Sequence, residues 1–251
     1  MDRSQQLDVY KAQTKNLRTM EIAWTNTKRA INRDLVLNNT SSVSVNTKLL
    51  ALIYSAWSES AFLKVIHTPH GFELDEIRQI KAVWKNNGIT SAWNKAATLA
   101  FRKVKTRGGN YIPNAKLAVD RLITQYIQKP SQIRNKVAHG QWDVALNSKN
   151  SAENSEITKA LNELDVVKIN GLREGCIGLC KILESLIESP DKAFHKDYWE
   201  CIDSIDASLA KTAKHTLEEK LSLLIARRPV QKVNRTRSSP QADCNCAAMQ
   251  T

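Results

Sequence analysis

Glycine and proline are scarce, with eight and six residues in a chain of 251. That scarcity disfavours a strand-and-turn protein and favours long uninterrupted helices. Long apolar runs are also missing. The stretch around Leu49-Leu50-Ala51-Leu52-Ile53 is far too short to span a bilayer. The polar opening Asp2-Arg3-Ser4-Gln5-Gln6 lacks the charged-then-apolar pattern of a secretory leader. Cysteines are odd in number and scattered at Cys176, Cys180, Cys201, Cys244 and Cys246, unlike the disulfide framework of a small secreted domain. These absences lead to the expectation of an all-α cytoplasmic protein with no membrane partner.

Acidic residues are missing from one part of the chain. Residues 85–140 hold eleven Lys and Arg against Asp120 alone, whereas residues 153–225 hold fourteen acids against nine bases. The formal net charge of +12 is therefore concentrated rather than spread. A segment of this kind is an electrostatic footprint for phosphate, and its plainer reading is a solvated face of one sign.

What is present reads as a succession of helices. Leu7, Tyr10, Leu17, Trp24, Ile31 and Leu35 recur on one face of a first helix over residues 5–37, before a loop at 38–42. A second helix is expected over 45–67, ended by Thr68-Pro69-His70-Gly71. Helices over 74–84 and 90–104 flank Asn86-Asn87-Gly88, and another runs from Pro113 to Gln128. Lys129-Pro130-Ser131 predicts a break and a restart into a short helix closed by Gly140. Residues 142–146 and 157–161 read as a short β-hairpin around a polar loop. Long helices over 164–188 and 193–226 complete a single helical domain, residues 1–228. Residues 229–251 form a basic tail that composition predicts to be disordered.

The short helix carries Arg134-Asn135-Lys136-Val137-Ala138-His139-Gly140. An Arg beside a His suits phosphodiester cleavage without a metal or other cofactor. The RNA's own 2′-hydroxyl is the nucleophile, His shuttles the proton, and guanidinium clamps the phosphate oxygens as charge builds. Asn135 can hydrogen-bond the imidazole or a phosphate oxygen without adding charge. DNA has no 2′-hydroxyl, so this chemistry selects RNA. Five residues on an ideal helix turn through about 140°, so one intact helix does not aim Arg134 and His139 at one atom. They converge if the helix unwinds near Gly140, or if two protomers share the site. The plainer alternative is that Arg134 caps carbonyls and His139 merely ends a helix.

In these seven residues the chain resembles the HEPN superfamily (higher eukaryotes and prokaryotes nucleotide-binding). The signature of those compact helical bundles is Arg, a polar residue, three variable residues and His. Arg134, Asn135 and His139 match it in order and spacing, and Ala138-His139-Gly140 is a typical ending. The resemblance covers the helical body, residues 45–190, and its specific part is the motif alone. It implies a homodimer with two facing motifs, a composite ribonuclease site and a setting in defence, toxin or RNA-processing systems. An antitoxin or regulatory protein would be a partner in such a system. One toxin branch carries Tyr shortly after the His, where Gln141 and Trp142 stand here.

Glu59 sits mid-helix among small and aromatic residues and is a candidate to orient Arg134 or His139. Arg102, Lys103, Lys105 and Arg107, with Lys136 in the motif, are candidate RNA-backbone contacts. Tyr111 and Trp142 could stack on bases or serve as packing. His67 and His70 lack further ligands nearby, so no metal site is expected there. Two rival functions remain open: a non-catalytic RNA- or nucleotide-binding sensor or adaptor, and a helical dimeric interaction scaffold.

Overall fold

A computed structural model describes residues 1–105 and 109–227, and it is all-α. The basic tail over 229–251, and Arg107, lie outside the described residues. Helix α1 (Arg3–Val36) opens on a capping box between Asp2 and Gln5. Helix α2 (Thr40–Ile66) starts earlier than the sequence suggests, because the Asn39 side chain accepts from the Ser42 N–H and caps it. The two pack side by side, and Arg173 fastens them to α7 (Val166–Glu188). Its guanidinium lies 5.1 Å from the Trp24 ring centre and 4.9 Å from that of Trp57, while Glu21 accepts from it and from the Trp57 indole.

Helix α2 is long and apolar enough to cross a membrane by length and composition, although no such run is evident when charged and polar residues are taken as interruptions. In the fold, 61% of its most apolar window is buried. Phe62, Leu50, Tyr54 and Ile66 all lie in the main core, with the Phe62 and Trp93 ring centres 4.6 Å apart. This is the central helix of the bundle.

Helix α3 (Leu74–Phe101) joins the two helices expected on either side of Asn86-Asn87-Gly88. Gly88, at φ 82°, leaves helical geometry and marks a kink between them. Helix α4 (Tyr111–Ile123) leads without a break into a π-helical turn, Thr124–Gln128, and then into α5 (Lys129–Ala138). The expected interruption at Lys129-Pro130-Ser131 is absent. Pro130 has no N–H to give to the Tyr126 carbonyl four residues back. That oxygen accepts instead from the Tyr54 hydroxyl at 2.6 Å, across 72 residues of sequence. Burial pushes the Tyr54 phenol well above its ordinary pKa, which keeps it a proton donor. A widened turn and a borrowed donor together carry the helix through its proline.

The expected β-hairpin does not form. Residues 142–146 are irregular, with a single isolated bridge between Leu146 and Glu153. Residues 157–161 belong to helix α6 (Ser155–Asn162), which the Asn154 side chain caps by accepting from the Ile157 N–H at 3.1 Å. The long helix expected over 193–226 is likewise two, α8 (Ala193–Lys214) and α9 (Leu217–Ala226). Thr216 and Glu219 form a capping box that starts the second.

The main core runs continuously from Trp24 on α1 to Ile205 on α8. A smaller cluster of Val137, Ala145 and Leu161, joined by Leu52, Ile133, Trp142 and Ile157, lies beneath the motif helix. Helix α5 is thus supported by its own layer between α2, α6 and the irregular segment that follows the motif.

Candidate functional site

Helix α5 lies antiparallel to α2. Arg134 meets Ser55 and Glu59, Val137 shares a cluster with Leu52, and Asp143 beyond the helix reaches Lys48. The Arg134 Nε donates to Ser55 Oγ at 3.1 Å, and its terminal nitrogen is ion-paired with the Glu59 carboxylate. Both partners are about one-third exposed, with side-chain values of 34% and 30%, so the guanidinium is braced from behind and still reaches solvent. Charge and a planar fork of donors suit this placement, since two of five N–H groups are engaged by α2 and others remain for a ligand.

The end of α5 is fixed by backbone chemistry. The Gln141 N–H donates to the Lys136 carbonyl at 2.9 Å and the Gly140 N–H to that of Val137 at 3.1 Å. This is a Schellman closure, and Gly140 adopts the left-handed φ of 78° that it requires. No atom crowds the place where a Gly140 Cβ would stand, so backbone conformation alone calls for glycine. His139 is the C-cap residue, exposed, and its ring makes no hydrogen bond to another described residue.

Three side chains hold the following segment against α5. The Lys136 ammonium donates to the Leu146 carbonyl, the Gln141 carbonyl oxygen accepts from the Leu146 N–H at 2.8 Å, and the Trp142 indole donates to the Val137 carbonyl at 2.9 Å. Lys48, only 6% exposed, donates to Asp143 at 3.1 Å and to Ser44 at 2.9 Å. Between this segment and α5 lies an open cleft of about 630 Å³, lined by Gln132, Asn135, Lys136 and His139 on one side and by Asn147, Ser148 and Asn150 on the other. No carboxylate lines it among the described residues.

Asn135 and His139, one turn apart, therefore share this cleft. Arg134 does not line it and turns toward α2 instead. Within one chain the two ends of the motif do not converge, as the 140° arithmetic anticipates, and the helix does not unwind to bring them together. Glu59 meets Arg134 rather than His139.

The other basic candidates sit elsewhere. The Lys103 ammonium pairs with Glu76 at 2.8 Å and donates to the Gly71 carbonyl, over the Phe72 ring. Lys105 is paired with Asp191, whose carboxyl is held below its usual range chiefly by the Lys105 backbone N–H. Arg102 is exposed beside them. This cluster adjoins the C-terminal end of α2. From the level of Leu52, near the motif, to His67 at that end is ~22 Å along the helix. Residues 102–105 thus lie at a distance from the cleft, and Lys136 is the basic candidate beside it. Trp142 is built into the layer beneath α5, and Tyr111 packs with Phe194, His195 and Trp199.

Sequence reasoning missed Ser55, Lys48, Asp143 and the cleft wall at 147–150. A signal for the α5 wall was present: Gln132, Asn135, Lys136 and His139 recur at steps of three, one and three, a polar stripe on one helical face. No family model matches this chain, and neither a curated protein nor a solved structure matches it.

Proposed function

We propose that the chain is a metal-independent endoribonuclease of the HEPN type that acts as a homodimer. The observation that carries this reading is the juxtaposition on α5 of an exposed His139, unpartnered among the described residues, beside Asn135 in a cleft that no described carboxylate lines, and a braced Arg134 on the adjacent face. In a two-fold dimer with the motif helices opposed, Arg134 of one copy serves the cleft of the other.

The chemistry needs little more. The 2′-hydroxyl of the substrate attacks the adjacent phosphorus as its proton passes to a base, and the 5′-oxygen of the next nucleotide leaves with a proton from an acid. An imidazole can take either part. The guanidinium of Arg134 stabilises the extra charge on the phosphate oxygens, and Asn135 offers a neutral donor beside them. The products are a 2′,3′-cyclic phosphate and a 5′-hydroxyl. The resemblance in the motif adds a defence or toxin setting to this proposal.

The test is incubation of the purified protein with single-stranded RNA in excess EDTA. Cleavage leaving cyclic-phosphate ends, and a loss of at least a hundredfold in rate for His139→Ala and for Arg134→Ala, is the expected result. RNA that is bound but never cut would favour a non-catalytic sensor, a role compatible with the pairing of Arg134 to Glu59. Absence of both binding and cleavage would leave the interaction scaffold.

A further inference from the structure

The cleft beside His139 is wider than a proton shuttle requires, and its far wall is built in an unusual way. Asn147 is spent on holding that wall: its side-chain oxygen accepts from the Lys149 N–H at 3.1 Å and the Ser151 N–H at 3.0 Å, and its backbone N–H donates to the Ala152 carbonyl at 2.8 Å. Gln141 and Lys136 tie the base of the same loop to α5. The loop is therefore organised before any ligand arrives.

The side chains it presents are treated differently. Ser148 and Asn150 line the cleft and make no side-chain hydrogen bond to another described residue. Asn150 is held at φ 52°, a left-handed conformation that Asn tolerates better than most residues. Across the cleft, Gln132 is exposed and its side chain likewise has no hydrogen-bond partner among the described residues, and Ile157 adds an apolar surface. Free amides and a hydroxyl, an apolar patch and no negative charge describe a surface for a planar polar group attached to a phosphate.

We propose that Gln132 and Asn150 form a base-reading subsite of the RNA-cleaving site, and that it takes an unpaired adenine next to the scissile phosphate. This rests on the ribonuclease reading for the word scissile, but not for the recognition itself. One edge of a primary amide presents an N–H donor beside the carbonyl acceptor, in a plane. Adenine matches that pair on two of its edges, through N6–H with N7 and through N6–H with N1. Guanine, cytosine and uracil also carry such a pair on the Watson–Crick edge, but guanine offers two acceptors on its Hoogsteen edge and the pyrimidines have no donor–acceptor pair on theirs. Two amides on opposite walls of the cleft therefore suit adenine, which carries the pair on both edges. Only a single-stranded base has both edges free.

The experiment uses the whole protein and four 2′-O-methyl tetranucleotides that differ at one base, so that binding is read without cleavage. The adenine oligonucleotide is expected to bind the wild type most tightly. Gln132→Ala, at an exposed position of a helix, and Asn150→Gly, which keeps the left-handed backbone accessible, should each reduce the preference about tenfold. Circular dichroism confirms that each variant is folded. Equal binding of all four by the wild type, a preference for another base, or a preference unchanged in both folded variants overturns the subsite. RNA of the same sequence, assayed for cleavage in parallel, separates the two ideas. Cleavage without base preference sinks the subsite and leaves the nuclease, whereas adenine preference without cleavage does the reverse.

Discussion

Tyr54 and Pro130 illustrate how single side chains determine whether the motif helix exists at all. Proline removes a donor from the helix ladder, and a buried carbonyl left without a partner costs about 1–3 kcal/mol. Tyr54 supplies the missing proton to the Tyr126 carbonyl. Replacing Tyr54 by Phe keeps the ring and deletes the donor, so urea unfolding should report a stability lower by that amount, read as a midpoint at lower denaturant with an unchanged slope. The effect should shrink when Pro130→Ala is introduced first, because an alanine N–H can take the hydroxyl's place. Equal losses in both backgrounds would show that the hydroxyl acts elsewhere, for instance through the Leu172 carbonyl, 3.3 Å away. None of this was legible in the sequence. Pro130 reads locally as a stop, and its compensation comes from a residue 76 positions earlier.

At the scale of elements, the sequence was most informative where the determinant was local. The periodic apolar faces of α1, α2 and α7 and the glycine stop of α5 follow from spacing and backbone sterics. Thr216 and Glu219 were also legible as a capping box, but a continuous apolar pattern across residues 193–226 concealed the boundary. The false hairpin arose from the opposite difficulty. Trp142, Val144 and Leu146 alternate like a strand, yet their segment is held by Trp142, Gln141 and the distant Lys136 and Lys48 side chains. Ile157 and Leu161, four apart, face one side of a helix.

Gly140 offers the test at this scale. Its left-handed φ of 78° in open surroundings means that Gly140→Ala adds no clash, only a backbone penalty of about 1–2 kcal/mol. The last turn of α5 should fray, displacing His139 from the cleft and lowering activity more than the shift in melting temperature would explain. Gly140→Asn, which tolerates the left-handed region, should recover most of both. If Ala and Asn behave alike, the closure does not depend on this conformation.

For the molecule as a whole, the arrangement of charge departs most from what the sequence suggests. Residues 85–140 form one basic block in the chain, but the fold separates Lys103 and Lys105 from the motif and engages them with Glu76 and Asp191. Acids distant in sequence neutralise what composition alone leaves free, and a linear count cannot register them. Glu59 and Arg134 lie 75 residues apart and pair for the same reason. The placement of Arg134 on one side of α5 and of the His139 cleft on another makes a strong demand of the proposed dimer, namely that each site takes its Arg and His from different copies. Arg134→Ala and His139→Ala should each be inactive alone, yet mixing and refolding them should restore activity. Random pairing makes half the dimers mixed, each with one complete site of two, so about a quarter of the wild-type rate should return. Mixtures that stay inactive, although mass measurement shows the mixed dimers have formed, would mean that Arg134 and His139 act within one chain, and the helix would then have to open at Gly140 to let them meet.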